Sequence, residues 1–397
     1  MKYITMALAI LVACSSGNGG NNDATVDTTP PARTLTVTTY NAGLAMGYVD
    51  YGPEREPLIG PAVALLDADV ICLQEVWNQT SIDRVIEGAK TVFPHNYYEI
   101  TDAGEIGGEP ACTEDGTKEL KACVLDKCAG IEPSTLGSCA LDFCAVEFGS
   151  VQPKDCVNCI ASNIGLAEAA ATVDDAIDAI IGACLEGAGG GFAYEGRNGL
   201  LILSRHPLAG KEFLRFESSL NVRVLLHAVA QVPNFGDVDV FCTHLTAFMT
   251  GIPYLGNFES WEKEQAQQID ALLPWITEKE DVLTPTTLLG DMNCGPQKGD
   301  DILPSFPANF DKFIEGGLTG PYGDDADAPC TWCANENPLT GGIDRIIDHV
   351  FFKNVPKSSA FESVRVMDEP VTLTVGGDDI DSRYSDHYGA QVTLTLP

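Results

Sequence analysis

The chain is punctuated by about ten short runs of apolar and β-branched residues, many of them ending on an acid, an amide or an imidazole. Residues 34–41 alternate in the manner of a strand with one buried face, and residues 68–74 form a short apolar run suited to a buried strand. Further strands are expected at 97–101, 199–204, 224–232, 238–243, 286–291, 346–352, 363–367 and 389–396. Outside one cysteine-rich span, helical spacing is scarce. Residues 81–91 open on a serine cap with Ile82, Val85, Ile86 and Ala89 on one side. Residues 260–278 carry Trp261, Ala266, Ile269, Leu272, Leu273 and Ile276 in a stripe. Many short strands with few long helices predict two packed sheets with helices outside, an α+β sandwich. With 45% hydrophobic residues a sizeable core is available, and 397 residues suit two domains or one large sandwich with an insertion.

The polar strand ends carry the chemistry. Asn41 closes the first run, Gln74 and Glu75 the second, Thr243 and His244 another; Asp291 and Asn293 follow an apolar stretch, Asp348 interrupts one, and Ser385-Asp386-His387 precedes the last. One such residue is ordinary, because strand ends meet water. Six ends bearing carboxylates, amides and imidazoles suggest convergence on one edge of the sheets. Oxygen ligands such as Glu75 and Asp386 suit Mg2+ or Mn2+, which keep positions open for a phosphate. A neutral histidine with a carboxylate partner can take a proton from water. The sequence has no G-x-S-x-G elbow, no H-E-x-x-H and no Walker loop, so those hydrolase and nucleotide-binding designs lack support.

Seven blocks, in order, resemble the endonuclease/exonuclease/phosphatase superfamily, which includes deoxyribonuclease I, abasic-site endonucleases, inositol-polyphosphate phosphatases and sphingomyelinases. They are T-Y-N-A-G (39–43), D-V-I-C-L-Q-E-V-W (69–77), N-G-L-L-I-L-S-R-H-P (198–207), T-H-L (243–245), G-D-M-N (290–293), I-I-D-H-V-F-F (346–352) and S-D-H (385–387). The resemblance implies a four-layer α/β sandwich over residues 34–397 and metal-dependent phosphoester cleavage. It implies Glu75 as the main Mg2+ ligand with Asn41 and Asp386 beside it, His387 as general base and Asp348 as its orienting partner. Asp291 would position the nucleophile. Asn293 and His244 would hold phosphate oxygens, with His244 also near the leaving group. His95, His206 and His227 match no position at the metal edge and read as packing residues, and His349 as structural. Trp77 and Trp332 read as core or pocket edge. Arg197 could reach a phosphate, although most arginines are solvated.

Residues 102–191 have another character. They hold sixteen Asp/Glu against four Lys/Arg and eight cysteines: Cys112, Cys123, Cys128, Cys139, Cys144, Cys156, Cys159 and Cys184. Such density in an exported chain indicates a disulfide framework, with 105 possible pairings. Zinc is the weaker reading, since the span has no histidine. Cys123-Val-Leu-Asp-Lys-Cys128 recurs as Cys139-Ala-Leu-Asp-Phe-Cys144, as two short helices stapled face to face would require, and residues 163–185 read as a further helix. The span is expected to be an inserted, disulfide-rich helical subdomain. Cys72 and Cys242, inside apolar runs, read as buried small hydrophobes, whereas Cys330 and Cys333 are placed to pair locally.

Export is read from the N-terminus. Residues 1–13 form a short apolar signal segment ending in Leu11-Val12-Ala13-Cys14, which resembles the bacterial lipobox; residues 14–33 then suit a lipidated flexible tether. A cell-envelope lipoprotein or secreted protein is expected, with the membrane reached through a lipid on Cys14. The formal charge of −34 disfavours an electrostatic nucleic-acid binder, and the insertion adds −12. The favoured substrate is therefore a phospholipid such as sphingomyelin, whose zwitterionic head group tolerates acidic walls. Thr331-Trp332 with Asn337 is similar to a T-W-x-x-x-x-N stretch of sphingomyelinase-like members, and Phe248, Met249, Ile252, Tyr254, Leu255 and Phe258 could meet a lipid surface or equally form a buried loop against the nearby helix. The alternatives are an extracellular deoxyribonuclease I-like nuclease and, outside enzymes, a surface-anchored interaction protein that works through the cysteine-rich span.

Overall fold

The computed structural model describes residues 33–101, 109–187, 192–249, 252–254 and 256–397. The expected signal segment and nearly all of the tether, the two ends of the cysteine-rich span and Leu255 lie outside these residues. The first sheet combines β1 (Arg33–Asn41), β2 (Val70–Gln74), β3 (His95–Tyr97), β4 (Leu201–Ser204), β10 (Ala360–Val366) and β13 (Gly389–Leu396), in the order β10-β13-β1-β2-β4-β3. The second is β5 (Leu208–Arg215), β6 (Val224–Val232), β7 (Gly236–His244), β8 (Thr286–Asp291) and β9 (Asp348–Lys353), in sequential order. A separate hairpin joins β11 (Val371–Val375) to β12 (Asp378–Ser382).

The sheets face each other across a core that includes Val37, Val70, Leu226, Val240, Leu289, Val350 and Val392. On the outer face of the first sheet lie α1 (Gly52–Val63) and α2 (Gln79–Ala89), which bury Ile59, Val63, Ile82 and Val85 against Ile71, Leu73 and Leu203. On the outer face of the second lie α8 (Trp261–Lys279) and α9 (Pro307–Glu315), which bury Ile269, Leu272, Ile276 and Phe313 against Leu225, Phe241 and Phe351. This is the expected four-layer sandwich. Covered on both faces, β2 and β8 are buried at every position, which is why they read as apolar runs rather than alternating ones.

Two pairs in these mostly antiparallel sheets are parallel: β1 with β2 and β7 with β8, each joined through a helical crossover. Parallel pairing puts the C-terminal ends of both strands at the same edge. Asn41 pairs with Gln74, and His244 with Asp291. Asp348 then opens β9 opposite Asp291, and β13 starts beside the end of β1.

Local chemistry explains where the elements differ from expectation. The second helix starts at Gln79 rather than Ser81, because Asn78 accepts the Ser81 amide at 2.8 Å. The strand expected at 97–101 is only His95–Tyr97. Helix α1 was unexpected, since Pro57 and Pro61 lie inside it. It packs closely on α2, where a Cβ on Gly60 would stand 2.8 Å from the Val85 carbonyl oxygen. Strand β5 is largely exposed and left little hydrophobic trace.

Between β3 and β4 the chain forms α3 (Glu114–Lys127), α4 (Leu136–Phe143), α5 (Ala145–Ser150), α6 (Lys154–Ser162) and α7 (Val173–Leu185). The helix expected over 163–185 breaks into a 3-10 stretch, Ile164–Ala169, and α7, which Thr172 caps. Disulfides join Cys112 to Cys156, Cys123 to Cys144, Cys128 to Cys139 and Cys159 to Cys184. The repeat is thus two antiparallel helices stapled at both ends. Cys330 pairs with Cys333 as expected. The reading of Cys72 and Cys242 as unpaired hydrophobes is corrected: they form a disulfide, because β2 and β7 bring their Cα atoms to 5.6 Å across the core. Cys294 is a buried free thiol.

The Cys72–Cys242 bond closes a sequence separation of 170 and joins the two sheets directly. Cys72→Ala with Cys242→Ala should lower unfolding free energy by about 2–5 kcal/mol in urea titrations. An unchanged midpoint would show that the cross-link contributes nothing to stability.

Candidate active site

At the shared strand edge the expected residues meet. The Asn41 amide donates to Glu75 Oε1 at 3.1 Å and to Asp291 Oδ2 at 3.0 Å, and lies 3.5 Å from His387 Nε2. Its own oxygen accepts the Gly43 amide at 2.9 Å, which fixes the side chain. His387 Nδ1 lies 2.9 Å from Asp348 Oδ2, the arrangement in which an Nδ1–H donates and Nε2 stays free toward Asn41 and Asp291. His244 Nε2 is 3.3 Å from Asp291 Oδ2. The Asn293 backbone amide donates to Asp291 Oδ1 at 2.9 Å and its side-chain amide to the Leu245 carbonyl at 3.1 Å. Glu75 and Asn293 both hold left-handed backbone, with φ of 59° and 51°, just past strand ends.

Asp386 approaches from the loop before β13, where Ser385 donates to its Oδ1 at 3.1 Å. Gly43 makes room for it: a Cβ there would be 2.4 Å from that oxygen, and φ is +57°. The T-W stretch supports the same loop. Thr331 Oγ1 accepts the amides of Ile347 and Asp348 at 3.1 and 3.2 Å, Asn337 donates to the Ser385 carbonyl at 2.8 Å, and the Trp332 ring packs edge-on to His387 at 4.9 Å.

Burial sets the electrostatics. Burial first, then the nearby Asp386, pushes Glu75 up from the ordinary carboxylate range. Burial and Asp348 push Asp291 up to about 7. Burial opposes charge on His387, but Asp348, Asp291 and Asp386 together hold it well above the usual imidazole value. His244 goes the other way, pushed well down by burial, Arg223 and His387, so it stays neutral.

Several neighbours carried no sequence signal. Arg223, just before β6, is buried with its guanidinium carbon 5.8 Å from the Trp77 ring, and one terminal nitrogen has no partner. It attracts Glu75 and Asp291. Gln265 of α8 donates to the carbonyls of Thr246 and Met292, at 2.7 and 3.1 Å, tying the loop after His244 to the loop after Asp291. Arg55 is buried beside Asp386 but directs its hydrogen bonds to the carbonyls of Ala42, Gly43, Asp50 and Tyr384. His349 is structural, 3.0 Å from the Cys294 carbonyl. His206 and His227 pair with Asp69 and Asp239 away from the cluster. The segment after His244 is not a continuous apolar surface: Ile252 is buried and Tyr254 bonds Glu264, leaving Phe248 exposed.

With a sandwich of this topology and this cluster at its edge, the chain belongs to the Endonuclease/Exonuclease/phosphatase family, whose sequence profile matches residues 39–387. It is by class a phosphoester hydrolase. Solved structures share the fold at low identity. SmcL has a TM-score of 0.55 and 13% identity, covering 91% of this chain and 99% of that one. Sphingomyelinase C from Streptomyces griseocarneus has 0.51 and 17%, covering 93% and 100%. The beta toxin of Staphylococcus aureus, with bound magnesium ions, has 0.51 and 13%, covering 91% and 99%. No curated protein matches the sequence.

The raised folded-state pKa of Asp291 means that its neutral form favours folding. That contribution is complete below about pH 4 and is lost as pH rises through about 7. Asp291→Asn mimics the neutral acid. With a chelator present, the variant should melt above the parent beyond pH 7, and the advantage should vanish toward pH 4. A pH-independent difference would contradict the assignment.

Proposed function

We propose that this protein is an exported, divalent-cation-dependent phosphodiesterase that cleaves a phospholipid of the sphingomyelin type. The observation that carries the reading is the His387–Asp348 pair, with Nε2 of the imidazole facing the Asn41–Glu75–Asp291 group.

The donor set fits a hard cation. Glu75 Oε2 is buried without a partner, Glu75 and Asp386 raise each other's need for positive charge, and the nearby Arg55 spends its hydrogen bonds on carbonyls. We assign Glu75 and Asp386 as ligands, with Asn41 joining them once its oxygen, here on the Gly43 amide, turns toward the cation, Mg2+ being favoured and Mn2+ compatible. Atoms of Asp291, Asp348 and His387 also lie within 4.8 Å of one another. The His387–Asp348 hydrogen bond already uses facing atoms of that set, which points to acid–base work. A bound cation would neutralise charge on the phosphoryl oxygens and offset the acidic field that keeps His387 protonated.

The chain's own residues divide the remaining work. His387 Nε2 takes a proton from the attacking water while Asp348 holds Nδ1–H and stabilises the imidazolium. Asp291 orients that water. Neutral His244, Asn293 and the unpartnered Arg223 nitrogen supply donors to non-bridging phosphate oxygens. The water oxygen bonds to phosphorus, the P–O bond to the alcohol breaks with its electron pair on the departing oxygen, and that oxygen takes a proton from solvent while His387 returns the one it accepted to solvent.

Export is supported by the N-terminal sequence and by six disulfides among the described residues. No helix among those residues is long and apolar enough to cross a membrane. The acidic charge favours lipid over DNA.

Purified protein with Mg2+ should hydrolyse sphingomyelin faster than phosphatidylcholine and leave plasmid DNA intact, and chelation should stop turnover. Glu75→Ala and His387→Ala should each lower kcat/KM by roughly 100- to 10,000-fold with unchanged circular dichroism. Preferential DNA cleavage would establish the nuclease, and full activity in chelator would remove the cation.

A further inference from the structure

The helical span is pressed against the catalytic end of the sandwich. The Tyr48 hydroxyl donates to the Ala161 carbonyl at 2.7 Å and Ser138 donates to the Tyr48 carbonyl at 3.0 Å. A Cβ on Gly137 would stand 2.0 Å from the Gly47 carbonyl oxygen, so the two backbones touch. Beside this contact is a cavity of about 300 Å³, at the small end of ligand-binding volumes. The sandwich contributes Met46, Tyr194 and Arg197 to its walls, and the helical span contributes Ser162, Gly165 and Leu166. The cavity is linked to the active site through the Tyr194 and Trp77 rings. Asn78, three residues after Glu75, borders it; the Tyr194 ring stacks on Trp77 at 4.8 Å; and Trp77 is 6.2 Å from the His244 ring.

Two polar atoms on these walls are incomplete. One terminal nitrogen of Arg197 and the hydroxyl of Ser162 are buried without a hydrogen-bond partner, a condition that buried polar groups seldom keep. The guanidinium can only donate and so selects an acceptor oxygen, while the Ser162 hydroxyl can donate to one as well. Glu195, exposed on the rim, disfavours a second anion and favours neutral acceptors. Met46, Leu166 and the Tyr194 ring add apolar surface, and Leu166 is 42% exposed at the outer side. Left-handed backbone at Tyr194 and Glu195, with φ of 52° and 57°, fixes the ring against Trp77.

We propose that this cavity is a leaving-alcohol subsite, built jointly by the sandwich and the cysteine-rich span. It takes an amphipathic alcohol with neutral amide or hydroxyl oxygens close to the phosphate and a chain that exits past Leu166. The inference rests on the phosphodiesterase reading and adds what the enzyme distinguishes: a sphingoid backbone over a glycerol diester bearing the same head group.

Two variants test it. A Cβ on Gly165 would meet only the Tyr194 ring, at 3.8 Å, so Gly165→Leu fills the cavity without a backbone clash. Ser162→Ala removes the unpartnered hydroxyl. Each should lose roughly ten- to a hundredfold in kcat/KM on micellar sphingomyelin, while keeping the parent rate on p-nitrophenylphosphorylcholine, which has the head group but no lipid alcohol. Equal losses on both substrates, or none on sphingomyelin, would overturn the subsite. If the parent is inert on both, the phosphodiesterase reading fails instead. The cavity is then judged by calorimetric binding of a short-chain sphingomyelin in chelator. Gly165→Leu should weaken that binding at least about tenfold, and equal binding by parent and variant would dismiss the site.

Discussion

Parallel hydrogen bonding between β1 and β2, and between β7 and β8, is the constraint from which the rest of the molecule follows. An antiparallel neighbour would send its C-terminal end to the far side of the sheet. The crossovers through α1 and α8 instead return the chain to the same edge, so Asn41 meets the end of β2 and His244 meets Asp291. Antiparallel β9 and β13 then start where these strands finish, delivering Asp348, Asp386 and His387 from the opposite chain direction. Eight side chains from distant stretches of sequence thereby share one rim, four of them on the strands and Glu75, Asn293, Asp386 and His387 on the short segments that the strand ends hold in place.

That rim is an uneasy place for charge. Glu75, Asp291, Asp348 and Asp386 crowd around a single imidazole, and burial removes most of the water that would screen them. Neither nearby arginine pairs with these carboxylates, since Arg55 is spent on backbone carbonyls and Arg223 keeps one nitrogen free, so the compensating charge falls to His387 beside Asp348. An acidic centre held this way is electrostatically incomplete, and a hard cation is the kind of group whose charge would offset it.

The central strands were legible because burial on both faces leaves an apolar run that ends abruptly in polar residues, as in residues 70–75 and 286–291. The stapled repeat at Cys123–Cys144 was legible because spacing and symmetry survive in one dimension. What escaped notice depends on contacts between remote segments. Helix α1 forms despite two internal prolines because α2 packs on it, and Cys72 finds Cys242 only once the sheets are stacked. Arg223 and Gln265 look like any other polar residues until the fold seats one beside Glu75 and the other between two catalytic loops. The apolar stretch after His244 reads equally as a lipid-facing loop or as a buried one, and the fold takes the second course for Ile252, Met249 and Tyr254, which pack with Trp261 and the helical span.

The helical span leaves β3 and returns to β4, strands that pair directly through His95–Ser204 and Tyr97–Ile202, and its four disulfides all close within itself. It is in effect an overgrown hairpin turn with private cross-links. Because the entropy of closing a loop rises only logarithmically with its length, such a turn can be lengthened, trimmed or exchanged without shifting the register of the strands beneath. The scaffold that gathers the polar rim is thus mechanically insulated from the size and composition of the insert it carries.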